Sequence, residues 1–357
     1  MKQGWEIRKL SDVASKFFAG KDKPVEFSEQ ITNTHKIPVY ANGVNNNGLC
    51  GYTDKALVEQ PCITISARGT IGFCCIRKEP FVPIVRLITI IPNDNISIEY
   101  LYYAISNINF ENNGVAIPQL TIPMIKGISI PVPPLSEQQR IVDILDREFA
   151  KIEALKDNAR KCYHLARDLF QSALKQELQP KEGWIISTLQ SLLKLTSGDN
   201  LTAKSIIKGE YPVYGGNGIM GYHNQYNLDG LNVIVGRVGA LCGNVRLVEG
   251  KIWHTDNAFW VHDKNKLFYL PYLTYELRRA NLRQYATQAA QPVVSNASMK
   301  DVLLSVPPSI KMQEQIVVRL DILNEKCKSL KRNYLRIGAL CEDMKQALLR
   351  KAFSGEL

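Results

Sequence analysis

The chain has 357 residues, 45% of them hydrophobic and 22% charged, with a net charge of +10 and an isoelectric point near 9.1. That length gives two or three domains with a core each, and that balance excludes a disordered chain. No apolar run approaches the roughly 18 residues of a membrane span, and the N-terminal stretch lacks a signal-peptide pattern, so a cytoplasmic protein is expected. The basic excess points to an acidic partner, with nucleic acid the first candidate.

In chain order, residues 1–134 carry β signals: candidate strands at Ile37–Ala41, Cys62–Ala67, Gly72–Arg77 and Val82–Ile91, with Asn/Gly turns such as Asn42-Gly43 and Asn45–Gly48. Ser97 to about Ile108 reads as one short helix. The segment closes on Ile130-Pro131-Val132-Pro133-Pro134, where proline stops a strand before a helix. Ser136-Glu137-Gln138-Gln139 then has capping-box form, with Gln139 at the third helical position. A long heptad-patterned helix fills 135–178. Residues 179–309 repeat the β-rich pattern, with strands at Tyr211–Tyr214, Asn232–Gly236, Asn244–Val248 and Phe259–His262 and a helix from about Leu270 to Tyr285. A second gate, Val306-Pro307-Pro308, leads into a second long helix over 310–357, where Lys311 leaves a different or weaker cap.

The chain therefore contains itself twice, about 175 residues apart. Gly4-Trp5 returns as Gly183-Trp184, Pro38-Val39-Tyr40 as Pro212-Val213-Tyr214, Gly51-Tyr52 as Gly221-Tyr222, and Ile141-Val142 as Ile316-Val317. Solenoid repeats run about 20–50 residues, so this is a duplicated domain plus helix, suited to a target with two similar halves.

The helices carry the clearest periodicity. One apolar seam runs through Ile141, Leu145, Ile152, Leu155 and Leu169; the other through Ile316, Leu320, Leu323, Leu330, Ile337, Met344 and Leu348. Spacing of this kind signals a coiled coil; the alternative is two amphipathic helices packed separately on their own domains. Small residues on the first seam (Ala159, Cys162, Ala166, Ala173) would face large ones on the second (Tyr334, Ile337, Met344, Leu348). Each seam covers about 32 residues, roughly 48 Å, against roughly 34 Å for one turn of DNA.

Catalytic motifs are missing. Gly216-Asn217-Gly218-Ile219-Met220-Gly221 fits a dinucleotide fingerprint, but His223–Asn227 is turn-like and no helix follows. There is no P-loop, nucleophile elbow or His-Glu-x-x-His, and the Pro-Pro pairs follow valine, unlike the catalytic tetrad of amino-methyltransferases. The eight cysteines form no metal spacing and read as free thiols; no metal and no cofactor is expected on this chain.

What remains is recognition chemistry. Tyr40, Asn42, Asn45 and Asn46 in one copy, and Tyr214, Asn217, His223 and Asn224 in the other, form loops whose amides can pair with adenine. Taken singly, such asparagines are more simply turn residues. Arg68-Gly69 and Arg237-Val238-Gly239 put arginine beside glycine after a strand, suited to guanine or phosphate. Gln119 and Gln291 flank the recurring Ile117-Pro118 and Pro292 and either touch DNA or position the gate. Alternating charges on the long helices, including Arg140, Lys151, Lys328 and Arg336, read as a solvated face or as a docking face for partner helices.

These features resemble the specificity subunits of type I restriction–modification systems. The likeness rests on the Gly-Trp openings, on Val-Pro-Pro-Leu-Ser-Glu-Gln-Gln-Arg-Ile-Val at 132–142, on the heptad helices and on Leu348-Leu349-Arg350-Lys351-Ala352-Phe353-Ser354-Gly355-Glu356-Leu357. Met312-Gln313-Glu314-Gln315 departs from the first gate's Glu-Gln-Gln-Arg. The resemblance implies an α+β chain with two target-recognition domains, 1–134 and 179–309, joined by long antiparallel coiled-coil helices. It implies a non-catalytic reader of a bipartite duplex target, docked by two modification subunits that bring S-adenosylmethionine and joined by restriction subunits for cleavage. Target adenines would be flipped into the partner's pocket. The rival readings are the recognition part of a self-contained methyltransferase–nuclease, and a coiled-coil scaffold without DNA specificity.

Overall fold

The computed structural model describes residues 4–110, 119–288 and 290–357. It divides into two compact units, one of residues 1–159 with 335–357 and the other of residues 160–334. The long helices, Leu135–Glu177 and Ile310–Ser354, are each divided between the two units.

Both units have the same topology. In the first, Glu6–Lys9 pairs antiparallel with Ser129–Val132, the strand of the proline gate. A four-stranded antiparallel sheet runs Ala14–Ala19, Ile88–Pro92, Cys62–Ile65, Cys74–Arg77. A three-stranded sheet places Ile37–Tyr40 between Leu49–Thr53 and Val82–Pro83. In the second unit Ile185–Thr188 pairs with Leu303–Val306. Its four-stranded sheet runs Leu193–Ser197, Ala258–Asp263, Asn232–Gly236, Val245–Val248, and its three-stranded sheet centres on Lys208–Gly215.

Local chemistry corrects several sequence expectations. The expected strand Val82–Ile91 is broken, because Val85 and Arg86 adopt φ of 50° and 61°, the left-handed region. The helix expected to reach Tyr285 stops at Arg279, and Asn281 at φ 46° starts a separate 3-10 turn, Leu282–Tyr285. The helix Ile98–Ser106 begins where Ser97 accepts from the Tyr100 N–H.

The gate works differently from a capping box. The first long helix starts at Leu135, so Ser136 is already inside it, and the Pro134 carbonyl accepts from the Glu137 and Gln138 N–H groups. The decisive side chain is the buried Gln138. Its Oε1 accepts from the Ser97 N–H at 2.9 Å, and its Nε2 donates to the carbonyls of Asn95 and Pro133 at 3.0 and 2.9 Å. Gln313, buried at the same place in the second copy, accepts from the Tyr269 N–H at 2.7 Å and donates to the Leu267 carbonyl at 2.8 Å. The motif that departs in sequence thus keeps its one essential residue, and Ser309 caps the helix by accepting from the Met312 N–H.

Two tyrosines reinforce each joint. Tyr100 donates to the Pro131 carbonyl and Tyr103 to the Asp146 carboxylate. Tyr272 and Tyr275 repeat this on the Ser305 carbonyl and Asp321. Burial first, and then the adjoining carboxylate, push the Tyr103 and Tyr275 hydroxyls well above the usual tyrosine range, so they remain donors.

Each core is closed by both long helices. Ile141, Val142 and Leu145 with Leu349 and Ala352 pack into the first unit's core, and Ile316, Val317 and Leu320 with Leu174 and Leu178 into the second's. Within each unit the helices run antiparallel. In the first, Lys156 meets Glu342, Glu153 meets Lys345, and the Cys341 thiol lies on the Ile152 carbonyl. In the second, Arg319 forks onto Glu177, and Tyr163 stacks on Tyr334 with centroids 5.9 Å apart.

The seam itself needs correcting. Ile141, Leu145, Ile152, Ile316 and Leu320 are buried, and Leu323, Ile337 and Leu348 half-buried. Leu155, Leu169, Leu330 and Met344 are exposed, at 48%, 62%, 38% and 48%. After Ile152 the first helix steps by four residues instead of three, so Lys156, Ala159, Tyr163, Ala166, Phe170 and Ala173 face inward. Lys156 serves there by laying its stem on the seam and its ammonium on Glu342. Cys162 is exposed too, and Tyr334 meets a second large ring, not a small residue.

Replacing either glutamine with alanine should destabilise the protein by roughly 1–3 kcal/mol per buried group left unpaired. Gln138→Ala orphans three groups and Gln313→Ala two, so urea unfolding should show the larger loss for Gln138→Ala. The reverse order would contradict this account of the joint.

Candidate nucleic-acid interface

In the first unit the chain leaves the strand Ile37–Tyr40 and makes the turn Asn45–Gly48. Asn46 and Asn47 sit at φ of 46° and 53°, a conformation asparagine tolerates, and both are exposed with Asn45. The buried Arg77 holds this turn. Its Nη2 donates to the Asn47 carbonyl, its Nε to the Thr64 hydroxyl at 3.1 Å, and its guanidinium lies 3.6 Å over the Tyr40 ring. Tyr40 also meets Phe81 edge-on and packs against the cluster of Val58, Cys62 and Phe81. Asn42 spends both ends of its amide internally. It donates to the Val85 carbonyl and accepts from the Ala67 N–H, each at 2.8 Å. Because Asn42 ties Ala67 to Val85, the next residues in each loop, Arg68 and Arg86, emerge on either side of it, both exposed. Arg68 donates to Gln119 at 2.7 Å, which brings those two expected residues together. Residues 116–118 of the recurring Gln-Pro segment lie outside the described residues.

The second unit builds the same place differently. Lys208–Gly215 turns through Gly216 and Asn217 into the strand Gly218–His223, which accounts for the glycine pattern without a dinucleotide. Tyr214 packs with Ile234, Val248 and Ile252. His223 is buried, its Nδ1 facing the Ile207 N–H at 3.1 Å and its ring edge-on to Trp253. Tyr214 and His223 thus pack within the unit, while Asn224 is exposed.

Gly216 occupies the position of Asn42. A Cβ there would lie 2.1 Å from the Val238 carbonyl oxygen, so only glycine lets these backbones close up. The result is an open cleft lined by Gly215–Met220, Val238, Gly239, Asn257 and Gln291. Asn217 and Gln291 both line it, and Asn217 accepts from the Leu241 N–H.

Arg237 is not the counterpart of Arg68. The Ala67 and Arg237 carbonyls accept from equivalent amides, those of Leu120 and Val294, so Arg237 matches Ala67 and Val238 matches Arg68. Its side chain folds back 5.5 Å over Phe259 and donates to the Asp256 carbonyl at 3.2 Å. Arg246 lies below the turn, its Nη2 3.5 Å from where a Gly218 Cβ would stand; its Nη1 is buried without a partner, and burial holds its pKa below the usual arginine range.

Sequence reasoning missed Arg77, Arg86, Arg246 and Asn257. The first and third look like ordinary charged residues at the end or middle of strands, and Arg86 lies in the break inside what reads as one strand.

The comparisons with known proteins agree with this architecture. The family model described as "Type I restriction modification DNA specificity domain" matches residues 2–160 and 181–336. The chain belongs to this family. A Mycoplasma pneumoniae protein named as a type I specificity subunit is 36% identical over 138 residues, 39% of this chain and 41% of that one. The EcoprrI specificity subunit of Escherichia coli is 32% identical over 200 residues, 52% of this chain and 48% of its own. The chain thus spans under half the length of these relatives. A solved chain from a type I R-M system has the same fold at a TM-score of 0.78, covering 100% of this chain and 99% of that one at 15% identity. The HsdS subunit of Thermoanaerobacter tengcongensis aligns at 0.56, with 100% and 98% covered and 16% identity.

The two specificity-domain copies also share exposed lysines: Lys16 and Lys126 in the first hold the places of Lys194 and Lys300 in the second. Among the described residues no group of three or more His, Cys, Asp or Glu is placed to hold a metal ion, and no helix is long and apolar enough to cross a membrane.

Arg77→Met should free the Asn45–Gly48 turn. Amide hydrogen exchange at Asn47–Leu49 should quicken while the second unit's amides are unchanged. Unaltered exchange in that turn would refute the positioning role.

Proposed function

We propose that this chain is the DNA-reading subunit of a type I restriction–modification complex. Each unit recognises one half of a bipartite duplex target, and methylation and cleavage are carried out by partner subunits. S-adenosylmethionine is bound by the methyltransferase subunits and not by this chain. The observation that carries this reading is the family match over both units, set beside a duplication that keeps the joints and changes the loops. The exposed lysines and the net charge of +10 support contact with phosphates.

The helix faces support docking of two modification subunits. In the first unit an apolar groove is lined by Ile152, Leu155, Met344, Ala347 and Leu348 and rimmed by Lys151, Lys351 and Glu148. In the second unit the duplicated positions place Leu330 and Leu169, both exposed, where the first has Leu155 and Met344. Two like patches suit two copies of one partner, and restriction subunits would join that assembly for cleavage.

Co-expression with a type I modification subunit, followed by mapping of methylated bases across the host genome, tests the reading. One bipartite motif with a fixed gap is expected, and only when both chains are present. Methylation by this chain alone would point to a self-contained enzyme. Binding of the partner without sequence preference would point to a scaffold.

A further inference from the structure

At one place in the fold Asn42 bridges Val85 and Ala67 in the first unit, while the second unit has Gly216 and an open cleft beside it, and this difference is chemical as well as geometric. Equivalent places are fixed by the sheets. The strand after the turn pairs Val82 with Val39 in the first unit and Trp253 with Val213 in the second, which aligns Arg86 with Asn257. The carbonyl pairing already given aligns Arg68 with Val238. So where the first unit presents two arginines around Asn42, the second presents amides around an open cleft.

The arginines are available. Arg86 is exposed and, among the described residues, makes no side-chain hydrogen bond or ion pair. Arg68 gives one Nη to Gln119 and keeps its other donors. A guanidinium offers two parallel N–H groups, which match the O6 and N7 acceptors of guanine in the major groove. The amides are equally available. Gln291 is exposed with no side-chain hydrogen bond among the described residues, and Asn257 donates only to the neighbouring Asp256 at 3.2 Å. A side-chain amide carries one donor and one acceptor side by side, which match N7 and N6 of adenine. Guanine, with two acceptors there, leaves the amide oxygen facing an acceptor.

We propose that the two units read their half-sites with different chemistry: the first places Arg68 and Arg86 on guanine, and the second places Asn257 and Gln291 on adenine. This rests on the DNA-reading function proposed above. The residue at this place decides which is possible. Asn42 stands between the first unit's loops, bridging Val85 and Ala67, so the reading there falls to the long arginines on either side of it. Gly216 lets the second unit's loops close, so short amides work within a recess that a base edge can enter.

The test uses the full chain with its modification subunit and maps methylated motifs for variants. Arg86→Asn keeps a residue that accepts the φ of 61°. It should relax discrimination at a G·C position in one half-site, on the order of tenfold or more, and leave the other half-site intact. Asn257→Ala should relax an A·T position in the other half-site by a similar factor. Where either variant fails to co-purify with the subunit, Arg68→Ala and Gln291→Ala read the same two half-sites. Unchanged motifs, relaxation at the wrong base type, or equal weakening on all sequences would overturn the proposal; the last would mark phosphate contacts. If the unmutated chain yields no bipartite motif, the DNA-reading function itself fails, an outcome distinct from these.

Discussion

A buried glutamine in the first turn of each long helix constrains everything around it. Gln138 and Gln313 saturate backbone groups just ahead of the domain helices Ile98–Ser106 and Leu270–Arg279, groups that burial would otherwise leave without water or partner. The domain helix, the gate strand and the long helix are thereby held in one arrangement. The tyrosine pairs Tyr100/Tyr103 and Tyr272/Tyr275 tie the same three elements from the other side. A recognition surface on a loop is only as well placed as the scaffold beneath it, and here a buried glutamine and a pair of tyrosines fix the scaffold in both copies.

From that joint outward the copies diverge by degrees. The four-stranded sheets keep strand order and pairing. The turn beyond the three-stranded sheet changes its residues and its shape: Asn42 against Gly216, Arg86 against Asn257, Arg68 against Val238. Even the interior arginine moves, from Arg77 beside Tyr40 to Arg246 below Gly218. A duplication selected only for stability would have no reason to spare the joints and alter the tips. One selected to read two unlike half-sites would.

Much of the fold was legible in the sequence because duplication doubles each signal. The paired gates, the paired Pro-Val-Tyr strands and the matching heptads located both units and both long helices. What was not legible depended on small choices of geometry. A seam stepping by four after Ile152 turns Leu155 outward and Lys156 inward, and nothing in a hydrophobic pattern favours lysine over leucine. His223 and Asn42 look like loop residues but are spent on Ile207, Val85 and Ala67, contacts set by distant strands. Arg68 and Arg237 look like counterparts in the sequence, but the hydrogen-bond register puts Arg237 where Ala67 stands, one residue earlier.

Under the proposed function, reading and spacing are separable: loops would choose the bases, and the long helices would set the gap between half-sites. Inserting about one helical turn, roughly four residues, after Ala159 and again after Tyr334 tests it directly, with the methylated motif as readout. Both half-sites should be unchanged and the gap longer by about two base pairs. An unchanged gap, or altered bases in either half-site, would contradict it.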